Sequence, residues 1–215
     1  MLSDVSPGQA RIYQAALRLF AQNAGSEIAI TDLADAAGIA RGTIYNNIEE
    51  PENLFGEVAA AISRDMLART ETTMQTIADP VERLATGVRL FVRRAHEDAD
   101  WARFMVRFTL GHTALQSMMH EPPARDVTAA VAGGSFTIAS AQIPAFVAML
   151  SGVTLSAMNS VLRGEQTWRD AGSNAAEFVL RAAGIAAKRA RQLASRELPP
   201  LAEAMTPKRK RRRSA

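Results

Sequence analysis

The chain contains no cysteine in 215 residues. That excludes disulfides, thiolate metal sites and a cysteine nucleophile. Histidine is scarce too, with His96, His112 and His120. His112 and His120 stand eight residues apart, too far to share a metal ion on a straight helix, and no acidic cluster supports them, so no metal site is expected. There is no glycine-rich phosphate loop, serine elbow or nucleophile–base pair, so the chain reads as a non-enzyme without a cofactor. No stretch alternates β-branched and polar residues long enough to predict a sheet. No basic start leads into an apolar run of the signal-peptide kind. No apolar run is read as approaching the roughly 20 residues of a membrane span. The expectation is a cytoplasmic protein with no membrane partner. Aromatics make up only 6%, against 47% hydrophobic residues in all, so alanine does much of the filling. Alanine is the best helix former, which points to an all-α fold.

Charge is unevenly distributed. The net charge is +3, but Lys208, Arg209, Lys210, Arg211, Arg212 and Arg213 carry six positive charges, leaving the rest at −3. Residues 1–50 hold three bases (Arg11, Arg18, Arg41) against six acids (Asp4, Glu27, Asp32, Asp35, Glu49, Glu50). The basic character therefore belongs to the end of the sequence, and average charge is no argument that the body binds nucleic acid.

About nine helices are predicted. Ser6-Pro7 is a start signal, a capping hydroxyl followed by proline at the first helical position. Ile12, Ala15, Ala16, Leu19 and Phe20 follow at helical spacing, and Asn23 to Ser26 break it. Thr31 is read as the cap of a short second helix to Ala37, Gly38 as a turn, and Arg41–Asn47 as a third helix. A fourth spans about 51–76, and Asp79-Pro80 starts a fifth. The acidic run Glu97 to Asp100 precedes a sixth, carrying Trp101, Phe104, Met105 and Phe108. Pro122-Pro123 is read as opening a seventh that ends at Gly133-Gly134. Long helices over about 143–163 and 173–196 complete the set, and Pro199-Pro200 ends the last one.

Residues Ile30 to Ile48 carry the functional signal. Two short helices that cross steeply need a small residue at the crossing, supplied by Ala34 or Ala37. They also need a turn residue that tolerates positive φ, supplied by Gly38. Leu33, Ile39, Ile44 and Ile48 can form their shared core with Phe20. Arg41, Gly42, Thr43, Tyr45, Asn46 and Asn47 are then left to face outward. That set suits a major groove, where arginine pairs with guanine and asparagine with adenine. Helix N-termini near Thr31 and Arg41 can add backbone N–H groups to phosphates.

Ala16 and Phe20, then Thr31-x-Leu33-Ala34-x-x-Ala37-Gly38-Ile39, Gly42-Thr43-Ile44-Tyr45 and Glu52-x-Leu54-Phe55 together resemble the N-terminal domain of the tetracycline-repressor-like (TetR) family over about residues 8–63. The resemblance implies a three-helix helix-turn-helix DNA-binding domain (1–50, linked by helix 4 at about 51–76). The polar, basic composition after Pro199-Pro200 predicts a disordered tail (199–215), and a larger helical ligand-binding and dimerisation domain (51–198) ahead of it is implied by the resemblance. It implies a homodimer on a palindromic double-stranded operator, released by a small molecule. Three positions depart from the family pattern: Asn47 and Ile48 stand where aromatics are common, and Pro51 where a phosphate-contacting lysine is common. Phosphate neutralisation dominates DNA affinity. An alternative is therefore a small-molecule-binding or interaction protein that keeps the fold with weak DNA affinity.

In the C-terminal part, Trp101, Phe104, Met105, Arg107, Phe108, His112, Met149 and Asn159 are expected to line a pocket for a small hydrophobic or aromatic effector, with Met118, Met119, Phe136, Met158 and Trp168 as further apolar candidates. Ala148, Gly152, Ser156 and Ser160 form a small-residue ridge that, with Ala176, Ala183 and Ala187, is expected at the dimer interface.

Overall fold

The computed structural model describes residues 5–22, 25, 27–48 and 50–203. Among these residues the chain forms ten α-helices and no strand. They are α1 (Pro7–Gln22), α2 (Ile30–Ala37), α3 (Arg41–Tyr45), α4 (Leu54–Thr73), α5 (Pro80–Glu97), α6 (Ala99–Phe108), α7 (Thr113–Ala132), α8 (Ile143–Leu162), α9 (Trp168–Ala182) and α10 (Ala187–Ser195). Asn23, Ala24, Ser26, Glu49 and the basic run 208–213 lie outside the described residues.

Local signals set several helix starts. Ser6 and Gln9 cap α1 reciprocally: the Gln9 N–H donates to Ser6 Oγ at 3.2 Å and the Ser6 N–H to Gln9 Oε1 at 3.1 Å, satisfying two end groups that the helix itself cannot. Asp79 accepts from the Val81 N–H ahead of Pro80 in α5, and Asp98 from the Trp101 N–H in α6. Thr31 does not cap α2. The helix starts one residue earlier with Ala29 as its N-cap and no side-chain cap, so Thr31 sits half-buried in the first turn.

Two stretches differ from the sequence reading. Pro122 and Pro123 lie inside α7 rather than at its start. Proline removes a helical N–H and so frees the carbonyl four residues back. The carbonyl freed by Pro123 belongs to Met119, and it accepts from Ser151 Oγ at 3.0 Å. A hydroxyl on α8 thus replaces the lost bond and lets the helix run through. The predicted 173–196 helix is divided between α9 and α10 by Gly184, whose φ of 95° is open to glycine and strained for other residues. A Cβ there would also collide with Thr137 Oγ1.

Two apolar clusters hold the molecule together. One joins α1–α4 to α6, the start of α7 and the end of α8, through Phe20, Leu33, Ile44, Ile62, Phe104 and Met158. The other joins α5, the end of α7, the start of α8, α9 and α10. Residues beyond α10 do not leave the body at once. Arg69 Nε donates to the Ala202 carbonyl at 2.7 Å, the Ala202 N–H donates to Thr73 Oγ1 at 2.8 Å, and Leu201 packs on the first cluster. The expected disordered tail therefore does not start at 199; residues to 203 are described, and the chain at 201–202 is docked on α4.

Ser140–Leu162 carries no charged residue and is long and apolar enough to cross a membrane by length and composition. This corrects the reading that no run approaches that length. Phe146, Val147, Leu150, Leu155 and Met158 of this helix are buried in the two clusters. The opposite face, with Ala148, Met149, Gly152 and Ser156, is exposed.

Candidate nucleic-acid interface and ligand cavity

The helix-turn-helix forms by local packing. Leu33 and Ile44 are fully buried, Ala34, Ala37 and Ile48 nearly so, and Phe20 closes this core from α1. Gly38 takes the left-handed conformation (φ 62°, ψ 43°), and its N–H bonds the Ala34 and Asp35 carbonyls that α2 leaves open. Arg11 reaches the Gly38 carbonyl at 3.2 Å and Arg18 the Ala36 carbonyl at 3.3 Å. Both cations thus sit at the negative C-terminal end of α2, where the helix dipole favours them.

α3 then shows one side to solvent. Arg41, Gly42, Thr43, Tyr45 and Asn46 are exposed, Tyr45 to 59% despite its size. Arg41 has no ion pair or hydrogen bond among the described residues. A Cβ on Gly42 would meet nothing within 4 Å, so packing within the chain does not require glycine there. Asn47 departs from the expected set. Its Nδ2 donates to the Thr43 carbonyl at 2.8 Å, and a Cβ on Gly8 of α1 would lie 2.6 Å from its Oδ1. Asn47 thus finishes α3 and seats it on α1 instead of facing outward. At the foot of α4, Glu57 accepts from Tyr13 Oη at 2.6 Å and from the Glu50 N–H at 2.9 Å. This carboxylate locks the strand of chain leading into Pro51, the position where the sequence lacks the expected lysine.

The head is joined to the body by aromatic rings. Phe55 lies between Phe20 (5.1 Å between centroids), Phe104 (5.3 Å) and Phe108 (4.8 Å), and His112 meets it edge-on at 5.3 Å. Arg107 donates to the Phe20 carbonyl at 3.2 Å, which places a cation at the C-terminal end of α1. Trp101, Phe104 and Met105 are buried in this core, whereas Met149 and Asn159 are exposed on α8. None of the eight residues expected in a ligand pocket lines the cavity that the body contains.

That cavity lies elsewhere, between four helices, and measures about 50 Å³. α4 contributes Leu67 and Thr70, and Met74 follows directly on its end. α5 contributes Arg83, Leu84, Gly87, Val88 and Phe91. α7 contributes Met118, Met119, Pro122, Pro123 and Asp126, and α8 adds Leu150 and Thr154. Only Met118 and Met119 were among the apolar candidates of the sequence. The lining positions repeat at three- and four-residue steps on each helix, so each helix presents one face. A shallow groove between α4 and α7 shares Leu67, Thr70 and Pro122 with the cavity and leads to solvent past Glu71, Glu121 and Arg125. Two features of the sequence mark the place after the fact: the proline pair of α7, and Gly87 inside the apolar stripe of α5, where a Cβ would meet nothing.

One charged network borders the cavity. Arg83 donates through Nε to Asp126 Oδ1 at 2.9 Å, through Nη1 to the Met74 carbonyl at 3.0 Å and through Nη2 to Glu71 Oε2 at 3.4 Å. It thereby ties α4, α5 and α7 together. Burial pushes the Asp126 carboxyl above the usual aspartate range, and the Arg83 guanidinium only partly opposes that. Among the described residues no group of three or more acids and histidines is arranged to hold a metal ion.

A helix-turn-helix head on a helical body is the architecture of a class of transcription regulators. Residues 79–196 match the tetracyclin repressor-like C-terminal domain. The match spans more than half the chain, and the chain belongs to this family of transcription regulators. Among solved structures it is similar to RolR in complex with resorcinol, at 26% identity and TM-score 0.68, over 91% of this chain and 96% of that one. It is similar in fold to a tetR-family regulator from Shewanella sp. PV-4 (16% identity, TM-score 0.69, 82% of this chain and 98% of that one). It is also similar in fold to FadR from Bacillus subtilis bound to stearoyl-CoA (18% identity, TM-score 0.64, 83% and 100%). No curated protein sequence matches the chain.

Proposed function

We propose that the protein is a repressor that binds a palindromic operator as a homodimer and leaves it when a small, largely apolar molecule enters the cavity between α4, α5, α7 and α8. The observation that carries the DNA reading is the outer face of α3, where Arg41, Thr43, Tyr45 and Asn46 are exposed on a rigidly packed helix. Gly42 between them lets a phosphate backbone approach closely. The unpaired Arg41 is the natural base reader. Thr31 and the N–H groups at the start of α2 would take phosphate contacts.

The dimer reading rests on α8 and α9. Ala148, Gly152 and Ser156 present a small-residue ridge to solvent, and Phe178 of α9 is 59% exposed. A two-fold axis through this face would cover the apolar surface of both copies. Ser160 is half-buried and accepts from Gln166 Nε2 at 3.2 Å, and Ala187 is exposed at the start of α10. Ala176 and Ala183 are wholly buried within the subunit and hold α9 in place instead.

The cavity favours a single ring over a long chain. On this measure a water occupies on the order of 10–15 Å³, so the space holds only a few waters. A cavity of about 150 Å³ holds benzene, so a ring such as the resorcinol bound by RolR would enter only with movement of the flexible Met74, Met118 and Met119 side chains, and an acyl chain would need more room still. The test is footprinting of the DNA flanking the protein's own gene at low salt, with and without resorcinol. Protection of a palindrome, lost on addition of the phenol, is the expected result. No protection at any palindrome would overturn the repressor reading and favour an interaction protein that has kept the fold.

A further inference from the structure

The last described residues tie back onto α4. Ala202 uses both of its backbone groups there: its carbonyl accepts from Arg69 Nε at 2.7 Å, and its N–H donates to Thr73 Oγ1 at 2.8 Å. Thr73 gives its hydroxyl proton to the Arg69 carbonyl at 2.7 Å, which leaves its lone pairs for the Ala202 N–H. Arg69 and Thr73 stand one turn apart on the same face of α4, and the largely buried Arg69 also pairs with Asp65 at 3.5 Å. Leu201 adds an apolar anchor in the first cluster. The other end of the segment is held by α10, whose Ala190, Leu193 and Ala194 are buried in the second cluster. Arg196, just beyond α10, pairs with Glu82 of α5. Between the two anchors run Pro199 and Pro200, whose fixed φ leaves little slack.

The same stretch of α4 forms one wall of the cavity, through Leu67, Thr70 and, directly after the helix, Met74. A second tie holds it from α5, where Arg83 donates to the Met74 carbonyl at 3.0 Å. The opposite end of α4 carries Phe55, in the ring cluster with Phe20 of the head. At about 50 Å³ the cavity is smaller than a ring needs. Any share of the missing volume that comes from outward movement of α4 must strain or break the two bonds to Ala202. We propose that residues 199–203 are a strap that holds the end of α4 in its cavity-closed position, and that effector binding and strap docking oppose each other. By linkage, the strap weakens effector binding by the same factor as the effector weakens the strap. The strap thus sets how much effector is needed to move the helix that carries the head.

The strap's role rests on the cavity being the effector site, and calorimetry with resorcinol separates the two. Three chains are compared: the full chain, one ending at Glu203 and one ending at Leu198. The first two should bind resorcinol equally, and the third severalfold more tightly, because only it lacks the strap. General loosening of the fold would weaken binding instead. Thr73→Val, which removes the acceptor of the Ala202 N–H, should also tighten binding, with Thr73→Ser restoring the full-chain value. If the chain ending at Leu198 fails to fold, as a melting curve would show, the Thr73 pair carries the decision. In the full chain, hydrogen exchange of the Ala202 amide should quicken when resorcinol is bound. Equal or weaker binding without the strap, a tightening already complete in the chain ending at Glu203, or an unchanged Ala202 exchange rate would overturn the strap while leaving the effector site standing. Binding of resorcinol by none of the chains would overturn both.

Discussion

In the head, Arg11 and Arg18 are spent on backbone carbonyls at the end of α2, and Arg41 on the exposed face of α3 has no partner among the described residues. In the body, Arg83 has three acceptors around one guanidinium, and Arg94 pairs with Asp98 at 2.9 Å while lying over the Trp101 ring. The difference is one of use: the head leaves a cation exposed to solvent on α3, and the body spends Arg83 on ties between its own helices.

The harshest test of that division is the ring cluster that bridges it. Phe20 is 1% exposed and touches both Phe55 and Phe104. Phe20→Ala should cost about 3–5 kcal/mol of stability, seen as a lower urea midpoint. One shared transition is expected, because the first apolar cluster runs through head and body alike. Two separate transitions, with only the head lost, would show that the comparison is between independent units.

The next test stays in the head and sets two polar residues against each other. Arg41→Ala should weaken specific operator binding by about 1–3 kcal/mol, with stability unchanged, since its side chain has no partner among the described residues. Asn47→Ala should do the opposite. It should leave base preference intact and lower the melting temperature, because its amide closes α3 on the Thr43 carbonyl. Gel shifts and melting curves on the same two variants check both. A loss of base preference in the Asn47 variant would return that residue to the reading surface.

The head's helices and the exposure of Arg41, Gly42, Thr43, Tyr45 and Asn46 were legible in the sequence, and the cavity was not, for a reason of distance along the chain. Gly38, Leu33, Ile44 and Arg41 lie within about a dozen residues, so spacing alone nearly fixes which faces meet. Asn47 was misplaced because its neighbour is Gly8, on another helix. The cavity draws on α4, α5, α7 and α8, and nothing local says that residue 70 will face residues 83, 126 and 154. Trp101, Phe104 and Met105 were chosen for size and apolar character, yet those are the properties of core residues, and the structure uses them as core. The mid-helix prolines misled for a related reason. The hydrogen bond that Pro123 removes is made good by Ser151, 28 residues further on.

Acidity sharpens the comparison from the other side. Asp126 is surrounded by Arg83 of α5, Glu71 of α4 and Arg125 of its own helix, and burial raises its pKa above the ordinary value of 3.8. As pH falls toward that raised value, Asp126 gains a proton, loses its charge and becomes a weaker acceptor. Binding of resorcinol should weaken by as much as about tenfold per pH unit, starting above the pH at which an ordinary aspartate titrates. In the same window the native state holds that proton more tightly than the unfolded chain does. The contribution of Asp126 to stability therefore rises as pH falls. Affinity and that contribution move in opposite directions, which calorimetry and urea unfolding at matched pH can follow. A pH-independent affinity down to the ordinary aspartate range would place the ligand away from Asp126.

Gly87 offers the gentlest intervention. It sits inside α5, facing the cavity, and a Cβ added there meets no atom within 4 Å. A glycine in a helix interior costs about 0.5–1 kcal/mol relative to alanine, and this one makes no close contact to compensate. Its presence is explained if the space it leaves is used. Gly87→Ala should therefore stabilise the protein by about 0.5–1 kcal/mol while weakening resorcinol severalfold, because the methyl group takes space from the ring. DNA binding by the free protein should be unchanged, since α3 and its packing are remote from this face of α5. Head and body would then be separated by a single methyl group: repression retained and release blunted in a more stable protein. An alanine variant that is both more stable and equally responsive would mean that the cavity has room to spare and that the size argument for a single ring is too strict.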